Sequence, residues 1–258
     1  MADAGPSDAR DIDREVREKD FWGHHLESLD EVVTTYRNGP DPNTDAMLRA
    51  IEPVEGAKVL DFACGTGATS AWLAARGADV LGLDITPEST QRAAELCAAV
   101  GVQAEFLAGD LAEVHGDLPQ FDAVIGRFAL HHIDVKVVAP LLAGLLRPGG
   151  RGAFLETVFT NPLFKVARKR LVGKHVPRFG TLDEQPLGRA ELEVLKDSFG
   201  EMHLELARMN FLRMIDRQVF QWRRPRFTKV SESIDDAFGR VRPLHGLSYH
   251  RIIVVRKA

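Results

Sequence analysis

The segment Val59 to Ser70, VLDFACGTGATS, constrains this 258-residue chain more than any other. Lys58-Val59-Leu60-Asp61-Phe62 reads as a short buried strand, Gly65 and Gly67 follow at once, and Thr69 to Arg76 has a helical pattern. Glycine lets the backbone turn tightly and lets a ligand approach the main chain. The helix start adds unbonded N–H groups. Further along, strands are expected at Asp79 to Asp84, Gln103 to Leu107, Phe121 to Gly126 and Gly152 to Thr157. Between them lie helical patterns at Pro87 to Val100, with proline in its first turn, and at Val135 to Leu146, stopped by Pro148-Gly149-Gly150. Short apolar strands alternating with helices imply a parallel sheet covered on both faces.

The ends of the chain depart from that rhythm. Residues 20 to 36 carry Phe21, Trp22, Leu26, Leu29, Val32, Val33 and Tyr36 at helical spacing, and a second helix is expected at Thr44 to Ile51. His203 to Asn210 and Tyr249 to Arg256 look like strands. The stretch between them, and Phe159 to Leu187, are too long for plain loops. The expected organisation is one domain over 1–258. It has an N-terminal helical cap at 1–52, a core at 53–158, and lid or substrate insertions at 159–200 and 211–248.

The glycine loop suits a nucleotide-like ligand at the switch point of a doubly wound sheet. A dinucleotide fingerprint, G-x-G-x-x-G, requires a third glycine for close helix packing, and Ser70 stands there instead. Asp61, at the end of the first strand, would face a pyrophosphate badly. It would suit a cationic ligand such as the ammonium and sulfonium of S-adenosylmethionine. Asp84, 23 residues later, can accept hydrogen bonds from ribose hydroxyls.

Asp61-Phe62-Ala63-Cys64-Gly65-Thr66-Gly67 resembles the D-x-G-x-G-x-G motif of class I S-adenosylmethionine-dependent methyltransferases, with Ala63 in place of the first glycine. Four further segments resemble the same family in order: Leu81 to Ile85, Gly109-Asp110-Leu111, Phe121 to Val124 with Ala129 to Ile133, and Leu146 to Gly150. The resemblance spans about residues 55 to 157. It implies an α/β fold, a doubly wound, mostly parallel seven-stranded sheet of Rossmann-like type, here with helical lid insertions. It also implies S-adenosyl-L-methionine as cofactor, held by Asp61, Ala63, Gly65, Thr66 and Gly67. Asp84 would meet the ribose, Ile85, Gly109, Asp110 and Leu111 the adenine, and Arg127 the methionine end through its backbone.

Methyl transfer from an activated donor needs mainly proximity and orientation. A base is needed only where the nucleophile must lose a proton. Candidates after the parallel strands are His131, His132 and Glu156; adjacent residues in a turn point different ways, so at most one histidine reaches substrate. No metal is expected, because no ligand spacing such as H-x-x-x-H is present. Cys64 and Cys97 make neither a disulfide framework nor a zinc site, which fits a reducing cytoplasm.

Substrate contacts are expected from Phe21, Trp22, His25, Tyr36 and Arg168. Charge is uneven: 13 basic and 26 acidic residues precede Phe159, against 20 and 11 from there on. Either the later helices simply have basic solvated faces, or they meet an anionic substrate or lipid surface. The basic amphipathic stretch 161–176 can lie on an anionic membrane or cap a pocket for a phosphate or carboxylate. Arginines beside Phe220 and Trp222 raise nucleic acid as a partner, but the net charge of −4 argues against it. The expected function is methylation of an O- or C-nucleophile on a small molecule: a natural product, lipid or quinone precursor. The alternatives are a non-catalytic cofactor-binding protein and an RNA methyltransferase. Monomer and homodimer both remain open.

Overall fold

The computed structural model describes residues 26–159, 186–216 and 223–258. Seven strands form one sheet in the order β3-β2-β1-β4-β5-β7-β6. They are β1 (Lys58–Phe62), β2 (Asp79–Asp84), β3 (Glu105–Ala108), β4 (Phe121–Arg127), β5 (Leu146–Thr157), β6 (Gly200–Glu205) and β7 (His250–Lys257). Strands β1 to β5 pair in parallel, and β7 runs antiparallel between β5 and β6. Strand order reverses at β1, so the carboxyl ends of β1 and β4 border a crevice.

The central parallel strands are apolar because both of their faces are covered. Successive residues point to opposite faces: Leu60, Val124, Phe154 and Ile253 share one core, while Val59, Ile125, Leu155 and Ile252 share the other. The first core is closed by α6 (Val135–Leu145) and α7 (Arg189–Phe199). The second is closed by α2 (Pro42–Ala50) and α3 (Ala68–Ala74). Helix α4 (Pro87–Val100) contributes Leu96 and Cys97 to a third cluster with Val32 of α1 (Leu29–Asn38) and Ala71. One short helix, α5 (Leu111–Val114), follows β3. Among the described residues, α8 (Leu212–Ile215) and the longer α9 (Pro225–Phe238) lie between β6 and β7.

Several expected boundaries shift for identifiable reasons. Helix α1 begins at Leu29 because Ser28 and Glu31 form a capping box, with the Ser28 amide donating to Glu31 Oε2 at 2.8 Å. Strand β6 occupies Gly200–Glu205 rather than 203–210, ending where the Arg251 guanidinium takes the carbonyls of Leu204 and Glu205. The 1–52 cap is only partly a cap: Met47, Leu48 and Ile51 at the α2 end are fully buried against the sheet. Likewise the 159–200 insertion does not extend through α7, whose Leu192, Leu195 and Phe199 enter the first core.

The placement of α7 is testable. Leu195 is wholly buried, so Leu195→Ala is expected to cost about 2–5 kcal/mol in denaturant unfolding. A loss under about 0.5 kcal/mol would return the helix to the surface.

Candidate functional site

The loop after β1 makes three left-handed turns, at Ala63 (φ 54°), Gly65 (φ 52°) and Gly67 (φ 84°). Each works differently. A Cβ at Gly67 would stand 2.5 Å from Ala93 Cβ, so close packing of α3 on α4 demands glycine there. A Cβ at Gly65 would meet nothing within 4 Å, leaving open space above the backbone. Ala63 adopts the conformation without glycine's freedom, at about 1–2 kcal/mol.

Asp84 fixes this loop to the next strand. Its Oδ2 accepts the Gly65 amide at 2.9 Å and its Oδ1 the Thr86 amide at 2.9 Å. Burial pushes the carboxyl above its usual range, opposed by these backbone bonds. Each oxygen still has capacity for a second donor. The Gly109 amide donates to the Asp84 carbonyl at 2.9 Å, bringing the turn after β3 alongside. There Asp110 caps α5 through the Ala112 amide at 2.6 Å. The Leu111 side chain is buried in the first core, and Ile85 is half-buried beside Asp84. Gly65, Asp84, Ile85, Gly109 and Asp110 therefore line one carboxyl edge.

Asp61 differs from its expected place. It is 1% exposed, beneath the loop rather than open to the cleft, and it accepts the Ser70 hydroxyl at 2.6 Å. Burial pushes its carboxyl up to about 7, against the Ser70 bond and the positive charge of Arg127. Ser70, noticed in the sequence only as the missing third glycine, is thus a partner for a buried acid. Arg127 is exposed at the end of β4, its guanidinium carbon 5.9 Å from the Phe128 ring centre.

A second constellation lies past β4 and β5. Glu156 is fully buried and takes three donors: Ala129 N at 2.8 Å and Leu130 N at 2.7 Å on Oε1, and His131 Nδ1 at 2.7 Å on Oε2. Such a carboxylate is committed to the turn and does not reach a substrate, which corrects its reading as a candidate base. Because the carboxylate accepts, the His131 Nδ1 carries the proton and Nε2 is the basic nitrogen. His131 is 9% exposed, with the His132 ring centre 4.1 Å away. Phe128, left-handed at φ 58°, stands between His131 (6.4 Å) and His250 (4.9 Å). Asn210 Nδ2 donates to His250 Nδ1 at 3.0 Å.

His250 and Asn210 escaped the sequence reading. The available signal was that β7 is antiparallel, so its first residue shares an edge with the last residues of the parallel strands. Thr157 pairs with His250 there.

The expected substrate residues fare unevenly. Phe21, Trp22, His25, Arg168 and the basic stretch 161–176 lie outside the described residues. Tyr36 stacks on Trp72 at 6.4 Å and its carbonyl accepts Trp72 Nε1 at 3.2 Å, so it packs α1 on α3 instead of facing the cleft. Just before α1, Glu27 accepts the Thr66 hydroxyl at 3.3 Å and so touches the glycine loop. Among the described residues, no three His, Cys, Asp or Glu side chains are grouped to hold a metal ion, and no helix is long and apolar enough to cross a membrane.

Residues 59–150 match the family described as Methyltransferase domain. A demethylmenaquinone methyltransferase of Clavibacter sepedonicus is 34% identical over 125 residues, 48% of this chain and 50% of the relative. A magnesium-protoporphyrin O-methyltransferase of Rhodobacter capsulatus is 34% identical over 136 residues, 52% and 58% of the two chains. The chain thus spans about half the length of the curated relatives it matches. The solved magnesium protoporphyrin IX methyltransferase of Synechocystis, with bound SAH, shares the fold at TM-score 0.54 and 18% identity, covering 100% of this chain and 90% of that one.

The burial of Asp61 has a pH signature. Its native carboxyl titrates near 7, above the unfolded value of about 3.9, so the native state binds the extra proton between the two. Wild-type stability from this group is therefore lost as pH rises across that window. Asp61→Asn keeps an acceptor for Ser70 without the charge. Its melting temperature relative to wild type is expected to rise from about pH 5 to about pH 8; a difference independent of pH would place the titration elsewhere.

Proposed function

We propose that this chain, whose residues 59–150 match the family described as Methyltransferase domain, is a class I S-adenosylmethionine-dependent methyltransferase that acts on an O- or C-nucleophile of a small molecule. The observation that carries the reading is the Asp84 carboxylate. It holds the open Gly65 backbone on one oxygen and Thr86 on the other, with acceptor capacity to spare. S-adenosylmethionine supplies a methyl group already activated on a sulfonium. Gly65 offers an unobstructed main chain to it, Asp84 accepts from ribose hydroxyls, and Asp110 and Ile85 face the adenine. Thr66 and Arg127 border the methionine end, above the buried Asp61.

On the acceptor side, His131 takes the proton of a nucleophilic hydroxyl or acidic carbon at Nε2. Glu156 is a positioning residue: it keeps the proton on Nδ1 and so keeps Nε2 basic. His132 packs against His131 in this scheme. The names of the two curated relatives, one for demethylmenaquinone and one for magnesium-protoporphyrin, support a small organic acceptor. The segments outside the 53–158 core would supply its binding surface.

Two sets of variants separate the roles. Asp84→Ala is expected to weaken S-adenosylhomocysteine binding about tenfold or more in titration calorimetry, the loss of about 1.4 kcal/mol; unchanged affinity removes Asp84 from the site. His131→Ala should spare that affinity and lower turnover about 10²–10⁴-fold. Turnover is read by mass spectrometry of extract incubated with labelled cofactor. Glu156→Gln should do the same, since its amide N–H facing Nδ1 moves the imidazole proton to Nε2. Undiminished turnover in both would leave the reaction without this base.

A further inference from the structure

Between β6 and β7 the chain leaves the sheet edge and returns to it, and the described part of that excursion builds a crevice of about 210 Å³ against the start of α2. Its walls include Asn43, Arg208, Asn210, Arg213, Tyr249 and His250. His250 places the crevice at the carboxyl edge of β5, with Phe128 between it and His131. A cavity of about 150 Å³ holds a benzene ring, so one ring with its substituents fits.

The walls are tied down. The Arg208 amide donates to Asn43 Oδ1 at 3.0 Å, and the Tyr249 amide to the Asn210 carbonyl at 3.1 Å. Asp235 of α9, fully buried, accepts the amides of Phe211, Leu212 and Arg213 at 3.2, 2.9 and 2.9 Å. The first turn of α8 is thereby satisfied, so any affinity for an anion must come from side chains.

Arg213 is the unusual member. It is 8% exposed, yet its Nε and Nη2 make no hydrogen bond. Glu232 Oε1 lies 3.1 Å from Nη2, close enough for an ion pair but misaligned for a hydrogen bond. Buried guanidinium N–H groups without acceptors are costly. Burial lowers the Arg213 pKa, and the charge of Arg208 lowers it further. Arg208 in turn pairs with Asp236 at 3.4 Å. With Glu232, Asp236 and the wall residue Asp41 nearby, the crevice has little net positive charge. Recognition would therefore rest on directional N–H bonds and not on long-range attraction.

We propose that this crevice is the acceptor pocket and that Arg213, with Arg208 beside it, holds an oxyanion of the acceptor. The acceptor is then a small, ring-bearing carboxylate or phosphate, with its anionic end between α8 and β7 and its nucleophile toward His131. The proposal rests on the methyltransferase reading above.

The test is titration calorimetry on the full chain, with and without saturating S-adenosylhomocysteine. The probes are 3,4-dihydroxybenzoate, phenyl phosphate and uncharged catechol. One of the two anions is expected to bind at least tenfold more tightly than catechol, and which one names the oxyanion. Arg213→Met should abolish that preference and Arg213→Lys retain part of it. Arg208→Ala, at a half-exposed position, should weaken the anion several-fold and covers the case in which Arg213→Met does not fold. Equal binding of catechol and both anions, no binding of any probe, or unaltered preference in a folded Arg213→Met or in Arg208→Ala overturns the proposal. If the nucleoside binds and the anions do not, the pocket is wrong and the methyltransferase reading stands. If the nucleoside itself fails to bind, both fall.

Discussion

Reversal of strand order at β1 leaves the ends of β1 and β4 with helices departing to opposite sides, and the polar chemistry of the molecule is arranged around that gap. A parallel sheet brings all its carbonyl ends and strand-terminal side chains to one edge. Three carboxylates of the strands themselves stand there, and each meets a different fate. Asp61 sinks below the loop onto Ser70, its carboxyl pushed up to about 7 by burial. Asp84 is half-committed to two amides. Glu156 is fully buried and held by three donors. Of the three only Asp84 combines fixed position, acceptor capacity and an incompletely buried side chain, so in the proposed function it organises the ligand while the other two organise the protein.

The same edge holds the two non-glycine residues with left-handed backbone among the described residues, Ala63 and Phe128. Such conformations persist where surrounding bonds over-determine them. Around Ala63 the next amides are held: Cys64 by the Leu83 carbonyl at 3.1 Å and Gly65 by Asp84. Around Phe128 its own amide is held by Leu155 at 2.8 Å, and the following two by Glu156. Both turns therefore draw their support from the neighbouring strand end. Loss of either carboxylate should release a strained turn as well as a hydrogen bond, which couples the glycine loop and the histidine turn to the integrity of the sheet.

Much of the core was legible in the sequence because buried parallel strands and their punctuation are local. Asp79–Asp84 and Pro87–Val100 fall where periodicity and proline put them. Residues that needed knowledge of the partner surface were not legible. Tyr36 looked like a substrate aromatic, but its fate depends on Trp72, 36 residues away in the chain. Helix α7 looked like an insertion because the length before it broke the β–α rhythm. Only packing shows Leu192 and Leu195 to be core. Glu156 was recognised as an acid at a strand end, the position where a free base would stand. That it was already buried and bonded to a turn depended on residues some 25 positions upstream.

The basic excess after Val158 illustrates the same limit in electrostatic terms. Counting charges raised either solvated helix faces or an anionic partner, and the described arginines divide between structural and open roles. Arg251 is spent on the carbonyls of Leu204, Glu205 and His245, closing the end of β6. Arg208 pairs with Asp236 across α9. Arg213 shares Glu232 yet leaves buried N–H groups without acceptors. Net charge of a segment measures none of this, because a guanidinium capping carbonyls contributes the same +1 as one awaiting a ligand. What separates them is the count of satisfied donors in a dry environment, where each unmet N–H costs about 1–3 kcal/mol. By that measure Arg213 is where, among the described arginines, an anion would gain most.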